Sequence, residues 1–292
     1  MSAVWFNGAF VAGTLPLDPQ DRGFLLGDGV FETVAVINHK PLWLDEHVQR
    51  MAYAANELGL PFHAEGLFAG LTEVLKKSEA QCEVLRITLG RGKTSRGLAG
   101  DGTSPSLLIT LDEFAAKNLF QPCRLKVSQV RRNAFAPSSR LKTLSYIDGV
   151  AAAREVTSEA DDALMLITSG DVASSTVANV FVLRGDALIT PSLDQGILPG
   201  ITRRILLDNA KKLGLNPVER AVPLEDLVRA DAVFLCNSLR FIRSVTMLNG
   251  EPLGRRPLDN LIEGLGALAK KQCGIDPRTL LRMKGRDNEI FC

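Results

Sequence analysis

"SLDQGILPGITRRILLDNAKKLGL", residues 192–215, changes pattern at Pro199-Gly200. From Ile201 the apolar residues return every three or four positions, which predicts an amphipathic helix running to about Leu213. Gly200 permits close approach of another backbone, and the first turn, Ile201-Thr202-Arg203, presents free N–H groups at the positive end of the helix dipole. Such a turn can seat a phosphate. So short a signal also fits an ordinary Pro-Gly turn into a helix, and the chemistry has to be sought in the rest of the chain.

Upstream, "SGDVASSTVANVFV" (169–182) reads as a strand by Val172, Val177, Val180, Phe181 and Val182. Asp171, Ser174, Ser175, Thr176 and Asn179 nevertheless load it with hydrogen-bonding groups that a buried strand cannot leave unpaired. Further back, "SSRLKTLSYIDGVAAAREV" (138–156) sets Lys142 between Leu141 and Leu144, just before a helix expected from about Ser145 to Glu159 that Thr143 or Ser145 can cap. Partial desolvation there would lower an ammonium pKa and favour the neutral amine that forms Schiff bases, although most lysines are solvated surface charges.

With 292 residues, 46% hydrophobic and 23% charged, the chain can build one large core or two smaller ones, and two domains are expected. A net charge of +1, from 34 basic and 33 acidic residues, gives no general attraction to nucleic acid or to an anionic membrane, so a small molecule is the expected partner. Cys82, Cys123, Cys236, Cys273 and Cys292 are scattered without zinc-ligand spacing; no metal is expected, and the thiols read as reduced. The opening "MSAVWFNGAF" lacks the regions of a signal peptide and no apolar stretch reaches spanning length, so the expected location is cytoplasmic. His39, His47 and His63 all lie in the first quarter, which weakens Ser-His-Asp and His-metal chemistry, and His47 reads as a half-buried surface residue on a helix. Catalysis would then fall to a lysine, to carboxylates or to a cofactor.

The patterning divides the chain at 117/118. On the N-terminal side, Asn7-Gly8 signals a hairpin, "GVFETVAVI" (29–37) and "KPLWL" (40–44) read as strands, and Asp45 caps a helix to about Leu58. A second helix is expected from about Ala64 to Lys77, followed by strands "CEVLRITLG" (82–90) and "PSLLITL" (105–111). Beyond 118 come the strand "CRLKVSQV", a loop to Arg140, the helix after Lys142, three strands around 163–190, the helix from 201, and strands "DAVFLCNS" (231–238) and "IRSVTML" (242–248). The expectation is an α+β chain with a smaller N-terminal α/β domain (1–117) and a larger strand-rich C-terminal domain (118–292), whose tail "RMKGRDNEIFC" carries no functional signal.

Five stretches, "DRGFLLGDGVFETVAV" (21–36), "LDEHVQRM" (44–51), "RLKTLSYIDGV" (140–150), "VANVFV" (177–182) and "TPSLDQGILPGITRRILL" (190–207), follow in an order that resembles the class IV aminotransferase family over roughly residues 3–250. That family includes branched-chain aminotransferases, D-amino-acid aminotransferases and 4-amino-4-deoxychorismate lyases. The resemblance implies the two-domain fold type IV, D-amino-acid aminotransferase-like, with pyridoxal phosphate in the cleft between domains, a homodimer, and a small-molecule amine as substrate. By position it implies that Lys142 is the catalytic Schiff-base lysine, Arg50 the phosphate clamp, and the N–H groups of Ile201 and Thr202 the phosphate seat. Asn237 and Ser238 match the strand end that closes the phosphate pocket, and Tyr146 matches a tyrosine that branched-chain enzymes place beside the cofactor's phenolic oxygen. Asn179 matches the family's Asn-Val-Phe strand, so the polar residues of 171–179 would line the cofactor. Counting back from Asn179, Ser174 stands where the family usually has a glutamate bonded to the pyridine nitrogen.

Three details are similar to the lyases. "GRGKTSRG" (90–97) resembles a lyase run whose second arginine, here Arg96, would meet a substrate carboxylate, and "LCNSLRFIRSV" (235–245) resembles a lyase segment in which Arg240 is the candidate for the other. Phe31 replaces a tyrosine that D-amino-acid enzymes use to bind the α-carboxylate. Glu32 matches the transaminases equally well, which keeps a D-amino-acid or branched-chain aminotransferase as an alternative, and Ser174 motivates a third, a non-catalytic protein that binds pyridoxal phosphate.

Overall fold

The computed structural model describes residues 3–100, 102 and 104–281; Cys292 and the tail from 282 lie outside the described residues. The chain forms two compact units. The first takes the chain up to Ala116, then Leu141–Ser145, then the segment from Ala269; the second takes Lys117–Arg140 and Tyr146–Leu268. A split at 117/118 treats each domain as continuous, whereas the fold returns the five residues around Lys142 to the first unit.

In the first unit, β1 (Ala3–Phe6) and β2 (Ala9–Phe10) form a hairpin with Asn7 at φ 44° and Gly8 at φ 105°. Next come α1 (Arg22–Leu26), β3 (Gly29–Ile37), β4 (Lys40–Pro41), α2 (Leu44–Glu57), α3 (Ala64–Leu75), β5 (Cys82–Lys93) and β6 (Ser104–Glu113). They make an antiparallel sheet in the order β2-β1-β6-β5-β3-β4. Val30, Val34 and Val36 of β3, with Leu85, Ile87 and Leu89 of β5, form one face of that sheet and pack with Val48, Met51, Ala54 and Ala55 of α2 and Leu67, Leu71 and Val74 of α3. Alternation puts Phe31 and Thr33, with Arg86 and Thr88, on the other face.

The strand expected over 40–44 stops at Pro41, because Trp43 adopts φ 51° and turns the chain into α2. Asp45 does not cap that helix: Trp43 is the N-cap residue without a side-chain bond, and Asp45 and Glu46 sit in the first turn, where they favour the helix dipole. Since β4 pairs only with Val36 and Ile37, the opposite end of β3 has an edge to fill. Residues 141–145 fill it: Phe31 N donates to Lys142 O at 2.9 Å, Leu144 N donates to Gly29 O at 2.9 Å, and Val30 bridges Thr143.

The second unit begins with β7 (Cys123–Arg132), α4 (Pro137–Arg140), α5 (Ile147–Arg154), β8 (Asp162–Ile167), β9 (Val172–Ser175), β10 (Asn179–Arg184) and β11 (Ala187–Pro191). It continues with α6 (Ile201–Asn209), β12 (Asn216–Arg220), α7 (Leu224–Val228), β13 (Ala232–Asn237), β14 (Phe241–Leu248), β15 (Glu251–Pro252) and α8 (Asp259–Cys273), the last turn of which counts with the first unit. Its sheet runs β12-β11-β10-β13-β14-β7-β8-β9, with β15 beside β14. The loop expected before Arg140 contains α4, and α5 is shorter than the expected 145–159, with Tyr146 as its N-cap residue and no side-chain cap from Thr143 or Ser145. Among the described residues no helix is long and apolar enough to cross a membrane.

Gly29 marks how tightly residues 141–145 dock. A Cβ there would lie 2.4 Å from Leu89 O and 2.7 Å from Leu144 Cδ1, and the backbone oxygen cannot step aside. Gly29→Ala is expected to destabilise the protein by about 1–3 kcal/mol through this overpacking, read as a lower urea midpoint at unchanged slope. An unshifted midpoint would mean that the segment around Lys142 is only loosely held.

Candidate active site

Within the apolar row of β3, between Val30 and Val34, stands Glu32, fully buried. Two residues of α2, one helical turn apart, reach it. His47 Nδ1 lies 2.6 Å from Glu32 Oε2, Arg50 Nε donates to Oε1 at 2.8 Å, and Arg50 Nη2 donates to Oε2 at 2.6 Å. Burial alone would raise the Glu32 pKa, but the Arg50 guanidinium and the His47 hydrogen bond outweigh it and bring it down to about 2. His47 is not the half-buried surface residue that its helical pattern suggests: its side chain is 0% exposed. Burial pushes its pKa below the usual value, with Arg50 and Lys142 acting the same way and Glu32 opposing them, so the ring is neutral. The Arg50 guanidinium is largely buried and oriented by Glu32; its expected role as a phosphate clamp is a separate matter from this pairing.

On the opposite face of β3, the half-buried Lys142 places Nζ 4.3 Å from the centre of the Phe31 ring, and Arg86 Cζ lies 4.0 Å from the same centre. Arg86 Nε also donates to Thr88 Oγ1 at 3.3 Å. Sequence reading passed over Arg86, because nothing local sets it apart; the β3/β5 register, Phe31 opposite Thr88 and Thr33 opposite Arg86, is what joins it to Phe31. Arg96 is exposed on the loop after β5. A cleft of about 680 Å³ nearby in the chain, lined by Asn7, Asp18, Asp21, Lys93 and Ser106 among others, holds none of the expected site residues.

In the second unit, the N-terminus of α6 has the character of an anion seat. Gly200 is its N-cap residue without a side-chain bond, no acid occupies the first turn, and the buried hydroxyl of Thr202 has no partner in the protein. A Cβ on Gly200 would lie 2.0 Å from Asn179 Oδ1, while Asn179 Nδ2 donates to Leu198 O at 3.0 Å, so Asn179 fixes the turn before the helix. Arg203 turns away from the seat: it donates to Pro191 O at 2.9 Å and pairs with Glu219. These residues fit a phosphate ester.

The polar side chains of 171–179 find protein partners. Ser174 Oγ donates to Ser175 O at 2.7 Å, Ser175 Oγ accepts from Ala178 N at 3.1 Å, and Thr176 Oγ1 donates to the buried Asp162 at 2.5 Å. Asn237 organises the turn into β14, its Oδ1 accepting from Leu239 N at 3.1 Å and Arg240 N at 2.7 Å; Ser238 lies in the same turn. Arg240 is half-buried, its pKa lowered by burial and by Arg243, with Asp162 opposing. Tyr146, also half-buried, packs near Gly149, where a Cβ would be 3.3 Å from its ring.

The buried Glu32–His47 pair makes stability depend on pH with one sign. Glu32 is depressed from 4.5 to about 2, so its contribution is complete above pH 4.5 and is lost as the pH falls toward 2. His47 is depressed from 6.5, so the unfolded chain takes up its proton first and stability declines as the pH drops below that value. Relative to wild type, His47→Gln is expected to flatten the fall in urea-unfolding free energy as the pH drops below 6.5. An equal slope in the two proteins would mean that the imidazole takes up its proton at the same pH folded and unfolded.

Comparison with known proteins places this arrangement. The profile of amino-transferase class IV matches residues 29–248, which include Glu32, Arg50, Lys142 and the α6 turn. The chain is 32% identical over 243 residues to the aminodeoxychorismate lyase of Bacillus subtilis (strain 168), covering 81% of this chain and 83% of that one. The crystal structure of a putative 4-amino-4-deoxychorismate lyase from Legionella pneumophila superposes with a TM-score of 0.81 at 32% identity, covering 87% of this chain and 96% of that one. The T.th. branched-chain amino acid aminotransferase, solved with pyridoxamine 5'-phosphate, gives 0.82 at 25% identity, covering 92% and 95%. The two-unit α+β chain has fold type IV and belongs to the class IV aminotransferase family.

Proposed function

We propose that the protein is a 4-amino-4-deoxychorismate lyase, acting as a homodimer that releases pyruvate from its substrate and leaves 4-aminobenzoate. Class IV aminotransferases are enzymes that use pyridoxal phosphate. The observation that carries the lyase reading is the cluster of Lys142, Phe31 and Arg86: an amine beside a flat apolar ring with a guanidinium on the same ring. That surface suits an amine carried on a six-membered ring with carboxylates, and it lacks the tyrosine hydroxyl with which D-amino-acid enzymes hold a small amino acid.

By the family resemblance, the N–H groups of Ile201 and Thr202 with the Thr202 hydroxyl would hold the phosphate, with Asn179, Asn237 and Ser238 beside them in the same unit, Arg50 would be its cationic clamp, and Tyr146 would be the partner of the phenolic oxygen. When bound, the cofactor supplies an aldehyde that condenses with amines and a ring that draws electrons from the carbon beside the nitrogen. Lys142 Nζ would be the amine that holds the cofactor in the resting enzyme and the base that takes the proton from the substrate's amine-bearing ring carbon. Arg96, Arg240 and Arg86 are the candidates for the two substrate carboxylates. A branched-chain or D-amino-acid aminotransferase is the second reading, favoured by the likeness to the branched-chain enzyme solved with pyridoxamine 5'-phosphate.

Lys142→Ala is expected to lose the visible absorption of lysine-bound cofactor and to lower pyruvate release from 4-amino-4-deoxychorismate by about a thousandfold. A borohydride-reducible lysine adduct persisting in the variant would assign the chemistry to another amine.

Ser174 separates the two readings. An ionised glutamate there would keep the cofactor's pyridine nitrogen protonated, whereas a neutral hydroxyl whose proton goes to Ser175 O cannot. Expulsion of pyruvate has aromatisation of the substrate ring as its own driving force, whereas amino transfer is slowed by the weaker electron sink. Ser174→Glu is therefore expected to speed conversion of bound cofactor to its amine form by alanine by about tenfold, equivalent to about 1.4 kcal/mol of barrier. Flat rates with cofactor retained would mean that another residue governs the nitrogen.

A further inference from the structure

The loop that carries Arg96 is gripped from behind. Arg22, the first residue of α1, is 8% exposed and directs its guanidinium into the body of the first unit. Its Nη1 donates to Gly97 O at 2.5 Å and its Nη2 to Leu98 O at 2.8 Å, the two carbonyls that follow Arg96. Its remaining nitrogen, Nε, donates to Asp28 Oδ2 at 2.8 Å. All three directions of the planar fork are therefore engaged, which fixes it as a lysine could not be fixed.

Asp28 serves a second arginine in the same way. Arg91 Nε donates to Asp28 Oδ2 at 2.8 Å and Nη2 to Oδ1 at 3.2 Å, while Nη2 and Nη1 reach Leu58 O and Gly59 O, each at 2.7 Å, just past the end of α2. Burial would raise the Asp28 pKa, but Arg91 and Arg22 outweigh it and hold the carboxylate below its usual value. One carboxylate thus orients two guanidiniums. One of them holds the Arg96 loop, and the other holds the far end of the helix that carries His47 and Arg50.

We propose that Arg22 is a positioning residue for substrate recognition. Clamped on Asp28, it holds Gly97 and Leu98 so that Arg96 is presented at the height and direction needed to meet a substrate carboxylate. Two features of the loop call for such a grip: Gly97 has φ +116° with open space around its α-carbon, and Arg96 itself is exposed. Arg22 touches no reacting atom; it acts through Arg96. The proposal rests on the lyase reading of Arg96 given above.

The test is a double-mutant cycle in the full-length, cofactor-loaded enzyme with 4-amino-4-deoxychorismate. Arg22→Gln is expected to raise KM about tenfold while kcat stays within about twofold, because orientation of a binding group is lost and the reacting groups are untouched. Arg22→Lys, which keeps the charge opposite Asp28 and one of the carbonyl bonds, should recover part of the loss and covers the case in which the glutamine variant does not fold. In an Arg96→Gln background, Arg22→Gln should add little. Without substrate, amide hydrogen exchange at residues 96–99 should accelerate in Arg22→Gln while the cofactor spectrum is unchanged. An unchanged KM, a loss confined to kcat and melting temperature, or additive effects in the cycle would overturn the proposal. Failure of the underlying reading looks different: Arg96→Gln alone would then leave KM unchanged, which removes both.

Discussion

A carboxylate sealed among valines remains charged only if its surroundings replace what water provided, and at Glu32 a bidentate guanidinium and an imidazole do so. The arrangement is unforgiving. Rotating α2 by one residue would leave Glu32 as a bare charge in the core at a cost of about 3–5 kcal/mol, and slipping β3 by one would carry Glu32 to the other face, away from Arg50 and His47. The ion pair therefore sets the register of helix on sheet. In doing so it sets the direction of Arg50 and, through the alternation of β3, puts Phe31 on the face where Lys142 lies.

β3 is thus read from three sides. One edge is fully paired with β5, one face is core, and the other edge is left open at its first residues by the early end of β4. The chain comes back more than a hundred residues later to fill that edge with 141–145, so Lys142 is held by strand hydrogen bonds rather than by a helix cap. For the base role proposed above, that anchoring matters, since placement within hydrogen-bonding reach is what makes a group effective. Gly29 is the residue that lets this docking occur, because a side chain there would meet the carbonyl of Leu89.

Much of this was legible in the chain. The limits of β3, the Asn7-Gly8 hairpin and the start of α6 follow from alternation, turn chemistry and the Pro-Gly pair, all of which act over a few residues. What escaped depends on partners far apart in sequence. His47 reads as a surface residue because the acid that accounts for its burial is fifteen positions away on a strand. Arg86 is one arginine in an alternating strand until the β3/β5 register sets it on Phe31. The interleaving of the units around Lys142 is equally invisible, since five residues carry no periodicity of their own. Trp43 ended a strand early because an aromatic residue took a left-handed conformation that its type disfavours.

The polar stretch 171–179, which the sequence reads as one strand but which folds as β9, a bend at 176–178 and the start of β10, shows where that local economy stops. Its serines, its threonine and Asn179 each find a protein partner, so the stretch's burial is compatible with its composition without any help from a ligand. The Thr202 hydroxyl, buried at the first turn of α6, does not. A buried hydroxyl without a partner costs about 1–3 kcal/mol, and the turn's N–H groups at the positive end of the helix dipole add to the same local excess of donors. No acid of that turn balances it, and the neighbouring Arg203 is already committed to Glu219 and Pro191 O. An excess of donors is relieved by a group made of acceptors, which is what a phosphate is. A phosphate bound there would satisfy donors that a cationic ligand would leave unmatched.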